Sequence, residues 1–395
     1  MKDQHKTLTP KLRFPEFGDG WLERPLGTVA TEFQAKSTIQ DEYEVLTSAR
    51  IGLMKQVDYY GEGRITERDN VGFNIIPADY LTYRSRTDDG RFYFNHNTLG
   101  ITGIISVYYP VFHSVDGSNG FLATLLNRFS ASIGTHSVGT SQRVLPISKL
   151  LRIRLPIPSP AEQRKIAACL TSLDELLAAE GRKLEALRAH KKGLMQQLFP
   201  RKGESHPRLR FPEFRDAPEW EEKEIGDICE ILNGRRIPIS SSDRRPGPYP
   251  YYGASGIVDF VDNFIFDERL LLVGEDGAKW GAFEKTAFIA EGKYWVNNHA
   301  HVLRCVKVND TLLENYLTMA DVGPFITGNA PPKLTLAKLK SIPVPVPESE
   351  DEQQQIAACL SSLDALIAAQ SRKLDGLQAH KKGLMQQLFP SPEGD

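Results

Sequence analysis

The sequence predicts an α+β protein in which two mixed, mostly β bodies are held apart by a long antiparallel two-helix coiled coil with pseudo-two-fold symmetry. Three observations predict this fold class. A long helical segment occurs twice, each copy follows a body rich in short β-type runs, and one short motif opens each half. We therefore expect four parts: body A at residues 1–157, helix A at 158–200, body B at 201–347, and helix B with a tail at 348–395.

The helical repeat is the strongest signal in the chain. Residues 161–200 and 351–390 are identical at 29 of 40 positions, and both copies end in AHKKGLMQQLFP. A shorter repeat opens the halves, as PKLRFPEF at residues 10–17 and PRLRFPEF at residues 207–214. Between these flanks the bodies cannot be aligned by eye, which predicts two like helices attached to unlike bodies.

Both long repeats are typical of helices with a narrow apolar seam. Apolar residues recur at alternating steps of four and three, the heptad pattern of a coiled coil. Polar residues interrupt both seams at matching places, Glu180 and Lys191 in one and Gln370 and Lys381 in the other. The matched breaks favour pairing of the two helices over packing of each helix on its own body, and such a pair is most naturally antiparallel. The predicted interface residues are Ile166, Leu170, Leu173, Leu177, Leu184, Leu187, Ile356, Leu360, Leu363, Ile367, Leu374 and Leu377.

Short β-rich runs separated by Gly, Asn, Asp and Pro dominate both bodies. Examples are LLLVG at residues 270–274 and HVLRCVKV at residues 301–308. Two helices are expected among them, GFLATLLNRF at residues 120–129 and TLLENYLTMA at residues 311–320. The bodies are therefore predicted to be mixed and mostly β.

Composition is that of a soluble globular protein, with 41% hydrophobic and 25% charged residues. No apolar run approaches the roughly 18–20 residues of a membrane span, and no hydrophobic signal core opens the chain, so we expect a cytoplasmic protein without a membrane segment. The four cysteines form no CxxC pair, which argues against a zinc finger or a disulfide scaffold. The net charge of −2 indicates that any nucleic-acid binding uses local basic patches or a more basic partner.

Two catalytic motifs occur only in imperfect form. GNAPPK resembles the (Asn/Asp)-Pro-Pro-aromatic motif of amino-methyltransferases, but Ala330 separates Asn329 from the prolines and a lysine replaces the aromatic residue. Asp276 followed by Glu291 and Lys293 has the residue types of a metal-dependent nuclease, at loose spacing. Neither pattern predicts an enzyme.

A pair of histidines is the one other candidate for a metal site. His299 and His301 alternate on a strand-like segment and therefore share a face. A metal site needs a third ligand at defined geometry, and the sequence offers none. Structural or DNA-facing roles fit these histidines better.

The polar residues that remain are of the types that bind nucleic acid. Arg, Asn and Gln read base edges, Arg and Lys contact phosphate, and Tyr contacts both backbone and bases. They cluster in Gly- and Pro-rich loops, where binding residues are often placed, although a solvated charged face is the alternative for any single one. The candidate DNA-binding residues are Arg84, Arg86, Arg91, Tyr93, Gln142 and Arg143 in body A, and Asn233, Arg235, Arg236, Arg244, Tyr251 and Lys333 in body B.

In the order of its parts the chain resembles the specificity (S) subunit of type I restriction-modification systems, over essentially its whole length. The resemblance is carried by the Pro-flanked EQ-x-x-I helix starts, the KKGLMQQLF helix ends, and the W-x-x-x-x-(Leu/Ile)-Gly openings at residues 21–27 and 220–226. In body B, PYPYYGASGIVDFVD, LLVGEDGAKWG and WVNNHAHVL look like one common type of recognition domain. Body A, with YLTYRSRTDDGRFYFN, looks like a different type.

The resemblance implies a non-catalytic DNA-specificity subunit. In that family two target-recognition domains each read one half of a split, asymmetric site in double-stranded DNA. The paired helices set the spacing and bind two modification (methyltransferase) subunits, through which restriction subunits join. S-adenosylmethionine, ATP and magnesium then belong to the partners, no cofactor is expected on this chain, and the repeated AHKKGLMQQLFP would be a docking surface for two copies of one partner. A coiled-coil assembly protein that reads no DNA sequence is the alternative.

Overall fold

A computed structural model describes residues 7–60, 69–328 and 331–391. These residues divide into two compact units, and the division falls inside both long helices. Unit 1 contains body A with the described residues up to 179 and from 375 onwards, and unit 2 contains body B within residues 180–374. Each unit thus combines one mixed, mostly β body with a segment of each long helix, and the predicted α+β class is confirmed.

The predicted long helices and both predicted body helices are present. Side chains cap the starts of the two body helices, because Ser118 accepts a hydrogen bond from Phe121 N and Asn309 accepts from Thr311 N and Leu312 N. No helix among the described residues is long and apolar enough to cross a membrane. The α-helices are α1 (Gln56–Tyr60), α2 (Asn119–Arg128), α3 (Ser130–Thr135), α4 (Ile147–Leu150), α5 (Pro160–Leu198), α6 (Ile225–Ile228), α7 (Asp310–Met319), α8 (Leu336–Lys340) and α9 (Glu350–Gln387).

Body A is built on two four-stranded sheets. Their strand orders are β3-β11-β7-β9 and β5-β4-β10-β6, and two smaller sheets have the orders β1-β2-β13 and β12-β8. The strands are β1 (Thr7–Leu8), β2 (Trp21–Pro25), β3 (Ala30–Phe33), β4 (Glu44–Ala49), β5 (Gly52–Lys55), β6 (Asn74–Ile76), β7 (Leu81–Tyr83), β8 (Arg86–Thr87), β9 (Phe94–His96), β10 (Gly103–Ile105), β11 (Val111–Ser114), β12 (Arg143–Val144) and β13 (Arg154–Ile157).

Body B is likewise built on two four-stranded sheets. Their orders are β15-β22-β19-β20 and β17-β16-β21-β18, and β14 pairs with β23. The strands are β14 (Glu221–Glu224), β15 (Cys229–Ile231), β16 (Pro246–Gly253), β17 (Gly256–Val261), β18 (Phe266–Asp267), β19 (Leu270–Gly274), β20 (Ala287–Ala290), β21 (Lys293–Val296), β22 (Ala300–Cys305) and β23 (Pro343–Val346).

The two bodies have the same sheet topology. The sheet β3-β11-β7-β9 of body A corresponds strand for strand to the sheet β15-β22-β19-β20 of body B. The sheet β5-β4-β10-β6 corresponds in the same way to the sheet β17-β16-β21-β18. Each second sheet also contains one parallel pair at the equivalent place, β4 with β10 and β16 with β21. The expectation that bodies A and B are different types of domain is therefore wrong in topology. It holds only for their sequences.

The long helices run antiparallel in both units. In unit 1, Lys381 Nζ near the end of α9 contacts the carboxylate of Asp174 in the first half of α5. In unit 2, Lys191 Nζ late in α5 lies 2.7 Å from Asp364 Oδ1 early in α9. In both units a late residue of one helix meets an early residue of the other, as the heptad pattern predicts.

All twelve predicted interface residues are buried or half-buried, whereas most residues between them are exposed. The first two positions of each seam have a second role. Ile166 and Leu170 belong to the apolar core of body A, and Ile356 and Leu360 belong to the core of body B. The start of each helix therefore packs on its own body, and the later polar seam positions Lys191, Lys381 and Gln370 contact the other helix.

One polar break in the seam is an ordered contact between the helices in unit 2. Gln370 Nε2 donates to the backbone oxygen of Glu180 at 3.0 Å and to its Oε2 at 2.6 Å. Lys373 Nζ lies 2.6 Å from the other carboxylate oxygen of Glu180. The hydrogen bond from Gln370 and then that from Lys373 hold the pKa of Glu180 below its ordinary value.

Candidate nucleic-acid interface

Body A is attached to the start of α5 by a buried ion pair. The Arg13 guanidinium donates through Nε and Nη2 to the two carboxylate oxygens of Glu162, at 2.9 and 2.7 Å. Trp21 Nε1 donates to the same carboxylate at 3.2 Å. Because Glu162 and Trp21 are almost completely buried, the charge must be compensated inside the protein, and Arg13 compensates it.

Body B is attached to the start of α9 in the same way. Arg210 donates through Nε and Nη2 to the Glu352 carboxylate at 2.7 Å each, and Trp220 Nε1 donates to it at 3.3 Å. In both units these residues come from the LRFPEF motif, the tryptophan opening and the Glu-Gln helix start. The short repeats in the sequence therefore share one structural role, the attachment of a body to a helix N-terminus.

The glutamine after each of these glutamates joins the helix start to a body helix. Gln353 Oε1 accepts from Asn309 N at 2.7 Å, and Gln163 Oε1 accepts from Ser118 N at 3.4 Å. Ser118 and Asn309 are the N-caps of α2 and α7, so the contacts are equivalent. A Cβ at Gly117 would lie 2.1 Å from Gln163 Oε1, so a larger residue there would displace this contact in unit 1.

The ends of the repeated helices also pack on the bodies. The Phe199 ring lies 6.2 Å from Trp220 in unit 2, and the Phe389 ring lies 6.0 Å from Trp21 in unit 1, both edge to face. The terminal Leu-Phe-Pro of both copies is buried. The expectation that all of AHKKGLMQQLFP serves a partner is therefore wrong for its last three residues, and most of its Ala-His-Lys-Lys segment remains exposed.

Two of the predicted binding segments of body A form one ribbon. Strand β12 pairs with β8, with Arg143 opposite Thr87 and Val144 opposite Arg86. Gly139 allows the loop before β12 to turn, because its φ is 102° and a Cβ would lie 2.2 Å from a backbone oxygen. The structure thus brings together predicted residues that are exposed, namely Arg84, Arg86, Arg91, Gln142 and Arg143.

A cleft of about 460 Å³ lies in body A beside this ribbon, lined in part by Arg50, Arg91, Arg128 and half-buried Tyr93. Arg50 Nη2 lies 2.8 Å from Asp89 Oδ2, and its guanidinium stacks 5.5 Å from the Tyr93 ring centroid. The sequence pattern missed Arg50 and Arg128, since they come from a turn and a helix far from the predicted segments. Arg128 donates to the backbone oxygens of Gln386 and Pro390 at 3.5 and 3.4 Å, so exposed Arg91 is the guanidinium of this cleft best suited to a phosphate or base contact.

Two predicted cations of body B share one buried carboxylate. Arg236 Nη1 lies 2.6 Å from Glu275 Oε2, and Lys333 Nζ lies 2.7 Å from Glu275 Oε1. Burial alone would raise the pKa of Glu275, but the hydrogen bonds from Arg236 and Lys333 outweigh it and hold the pKa below its ordinary value. Arg236 and Lys333 are therefore held in fixed positions, and Lys333 remains 42% exposed.

Asn233 is held in the same network by a buried histidine. Its side-chain nitrogen donates to His301 Nδ1 at 2.9 Å, and its oxygen accepts from Val302 N at 3.0 Å. His301 Nε2 donates to Leu334 O at 2.7 Å, which assigns the proton to Nε2. Burial lowers the pKa of His301, so the ring is neutral and structural.

The remaining predicted residues of body B differ in exposure. Exposed Arg235 pairs with Glu268 at 2.8 Å, and half-buried Arg244 pairs with Asp259 at 3.2 Å. Tyr251 is only 1% exposed, and its hydroxyl bonds within the body. Its prediction as a DNA contact is wrong, because the ring is buried and lies beneath the Arg244 guanidinium at 4.5 Å.

The nuclease-like residues do not assemble into a site. Asp276 lies two residues after the end of β19, whereas Glu291 directly follows Ala290 of β20, which pairs with Leu270, the first residue of β19. The nuclease-like residues thus lie at opposite ends of one strand. Within the described ranges, no group of three or more His, Cys, Asp or Glu is arranged to hold a metal ion. Asn329 and Ala330 lie outside the described residues.

Two alike bodies with unlike exposed loops, each attached to paired helices, define a two-part binding protein. A family model described as the type I restriction modification DNA specificity domain matches residues 19–189 and 218–379. The chain belongs to this family.

Curated relatives and solved structures agree with that assignment. The chain is 37% identical over 153 residues to a type I restriction enzyme specificity subunit of Haemophilus influenzae, and 30% identical over 107 residues to the MjaX specificity subunit of Methanocaldococcus jannaschii. These alignments cover 38% and 26% of this chain and only 39% and 25% of the relatives.

The fold is also that of a solved specificity subunit. The S subunit of a type I restriction-modification system from M. genitalium matches with a TM-score of 0.64 and 16% identity, over 97% of this chain and 99% of that chain. A structure concerned with complex assembly of the type I R-M system matches with a TM-score of 0.53 over 95% of this chain and 99% of that chain, also at 16% identity. At such low identity the likeness shows the fold alone.

Proposed function

We propose that the chain is the non-catalytic DNA-sequence-specificity subunit of a type I restriction-modification system. Each body reads one half of a split, asymmetric site in double-stranded DNA. One contrast carries this proposal. The two bodies share a topology and are attached to the helices by equivalent ion pairs, but the polar residues on their loops differ. Equivalent attachments are expected if both bodies are held on the helices for the same task. Unlike loops are expected if each body reads a different DNA sequence.

The contacts to DNA come from the exposed loops. In body A the β8–β12 ribbon presents arginines and a glutamine, the side chains that make bidentate contacts to guanine and adenine in the major groove. In body B, Arg235 and Lys333 remain accessible and are fixed by carboxylates before any DNA arrives, whereas Arg236, whose side chain is only 14% exposed, holds Glu275 in place. Fixed side chains lose less conformational freedom on binding, which favours specific recognition.

The partners in this proposal are two modification subunits, which bring restriction subunits with them. The outer faces of α5 and α9 are alike: Leu176 is 41% exposed and its repeat equivalent Leu366 is 55% exposed. Two copies of one partner could therefore bind the same exposed leucine and the same Ala-His-Lys-Lys segment, one copy on each helix. S-adenosylmethionine, ATP and magnesium are bound by these partners, and the complex acts in the cytoplasm.

Methylome sequencing of cells that express the chain with the modification subunit of its own system tests the proposal. We expect methylation at one split, asymmetric sequence that disappears when the gene for this chain is deleted. An unchanged methylome would contradict the proposal. DNA binding by the purified complex should also weaken steeply as salt is raised, because phosphate contacts release counterions.

A matched pair of variants localises the reading surface. Arg143→Ala should relax one half of the site only, with discrimination lower by about 1–3 kcal/mol. Arg152→Ala removes an exposed arginine of the same body that lies outside the β8–β12 ribbon, and it should leave the site unchanged. Equal effects of the two variants would contradict the assignment of the ribbon.

A further inference from the structure

One backbone position is held in the same way in the two bodies. In body A, Ser85 N donates to Tyr108 O at 3.1 Å, and Ser85 O accepts from Leu145 N at 2.9 Å. Ser85 follows β7 by two residues and stands just before the ribbon residue Arg86. This pattern of bonds identifies the counterpart position in body B.

In body B, Glu275 makes the matching backbone bonds. Glu275 N donates to His299 O at 2.8 Å, and Glu275 O accepts from Leu334 N at 2.8 Å. The next residue, Asp276, forms a bridge to Lys333, as Arg86 pairs with Val144 in body A. Arg86 and Asp276 therefore occupy equivalent positions, and Tyr108 and His299 are equivalent neighbours.

The ends of the following loops are bonded in the same way in the two bodies. Val138 and Val144 exchange backbone hydrogen bonds in body A, and Thr327 and Lys333 exchange them in body B, at the same separation of six residues. A glycine with positive φ follows the first residue in both loops. The equivalence thus extends over two chain segments and does not depend on one contact.

The side chains at this shared position have opposite chemistry. The Arg86 guanidinium stacks over the Tyr108 ring at 4.4 Å, whereas Asp276 accepts a hydrogen bond from His299 through its carboxylate. Arg86, Tyr108 and His299 are exposed, and the Asp276 side chain is 20% exposed. Arginine offers only donors, and an ionised carboxylate offers only acceptors.

We infer that Arg86 with Tyr108, and Asp276 with His299, are the equivalent base-reading pairs of the two bodies. This inference rests on the proposed function. Body A reads an acceptor-rich base at this position, of which guanine is the match for arginine. Body B reads a base that presents an amino donor, of which cytosine is the match for a carboxylate. The charge of Asp276 beside DNA is offset by Lys333, whose Nζ lies 3.9 Å from Asp276 Oδ2.

The test compares methylomes of complexes that contain full-length variants. Asp276→Asn keeps the size of the side chain and replaces one acceptor by a donor, so one position in one half-site should change its base preference by about 10- to 100-fold. Asp267→Asn, at an exposed aspartate of the same body outside these two loops, should leave the methylome unchanged. Arg86→Gln should change one position of the other half-site only.

The outcomes separate the inference from the function on which it rests. Wild-type complexes that methylate no split site would overturn the proposed function. Wild-type complexes with a split site, together with an unchanged base preference in Asp276→Asn and Arg86→Gln, would overturn the inference alone. If thermal unfolding shows that Asp276→Asn does not fold, Arg86→Gln decides, because Arg86 and the Tyr108 ring on which it stacks are both exposed and lie outside the apolar core. A change confined to one position in its own half-site supports the inference, and a loss across both half-sites contradicts it.

Discussion

Bodies A and B have one topology and almost no recognisable sequence likeness. The residues that do repeat are those that attach a body to the helices: an arginine, a tryptophan, a glutamate and the Leu-Phe helix end. The loops at the shared position after β7 and β19 carry arginine in one body and aspartate in the other. Sequence identity in this chain therefore marks the attachments, and sequence difference marks the exposed surfaces.

The two surfaces also differ in how their cations are held. Among the described residues, no carboxylate forms an ion pair with Arg84, Arg91 or Arg143 in body A. In body B, Arg236 and Lys333 share Glu275. In body A, by comparison, the Arg86 guanidinium stacks over the Tyr108 ring, and Arg50 pairs with Asp89.

The largest expected effect is at the attachments. Glu352→Ala removes the carboxylate that compensates the buried Arg210 charge and leaves it only the backbone oxygens of Ala217 and Pro218 as acceptors; loss of one member of a buried pair costs about 3–5 kcal/mol. The free energy of unfolding, measured by urea denaturation, should fall by this amount, and Glu162→Ala should have an equal effect through unit 1. Glu350→Ala, at an exposed glutamate of the same helix turn, should cost about 1 kcal/mol or less. Unequal effects at Glu352 and Glu162 would show that the two attachments are not equivalent.

A smaller effect is expected at the helix pairing. Leu363→Asp places a carboxylate in the half-buried seam and should lower the free energy of unfolding by about 3 kcal/mol, with loss of specific DNA binding. Leu366→Asp makes the same change on the exposed face of the same helix and should be within about 0.5 kcal/mol of the wild type, with the fold intact. A Leu363→Asp chain that unfolds and binds like the wild type would refute the pairing.

The smallest effect distinguishes the helices from each other. At one polar seam position both helices have a lysine, Lys191 and Lys381, and both lysines contact aspartates. At the other polar seam position the helices differ, because Glu180 of α5 faces Gln370 of α9. Because the folded-state pKa of Glu180 lies below its ordinary value, its contribution is present at neutral pH and is lost as pH falls below about 4.

Gln370→Glu should reverse that pH dependence. Two facing carboxylates raise the pKa of the pair, so the melting temperature should drop at pH 7 and recover as pH falls toward about 5. Glu180→Gln combined with Gln370→Glu should restore the wild-type behaviour, because Lys183 stands three residues after position 180 as Lys373 stands after position 370. A double variant that remains as unstable as Gln370→Glu would contradict this reading of the contact.

The helices were predictable because their signal is periodic and repeated. The expected helical parts, 158–200 and 348–395, contain helices at Pro160–Leu198 and Glu350–Gln387. Tyr251 was misplaced because it is followed directly by Tyr252 in β16, and the sequence alone does not show which of the two rings is buried. The sequence also did not show that the bodies share a topology, because a β core accepts many combinations of apolar residues of suitable volume.

The candidate site was predictable only segment by segment. The YRSRTDDGR and GTSQR segments of body A were recognised separately, and the structure pairs them through Arg86 and Val144. Arg50 and Arg128 were missed because contacts between distant segments leave no local pattern. The ion pairs of Arg236 and Lys333 with Glu275 were missed for the same reason.

The central claim is that two equivalent bodies on equivalent attachments each read their own half-site. A graft tests it most directly: residues 22–157 replace residues 221–346, because Leu22 pairs with Ile157 and Glu221 pairs with Val346 at the matching edges of the bodies. The graft keeps the attachments of unit 2 and places body A in both units. Methylome sequencing with the modification subunit should show a symmetric split site made of body A's half-site and its inverted repeat. A folded graft that forms the complex and methylates the original asymmetric site, or no defined site, would contradict the account.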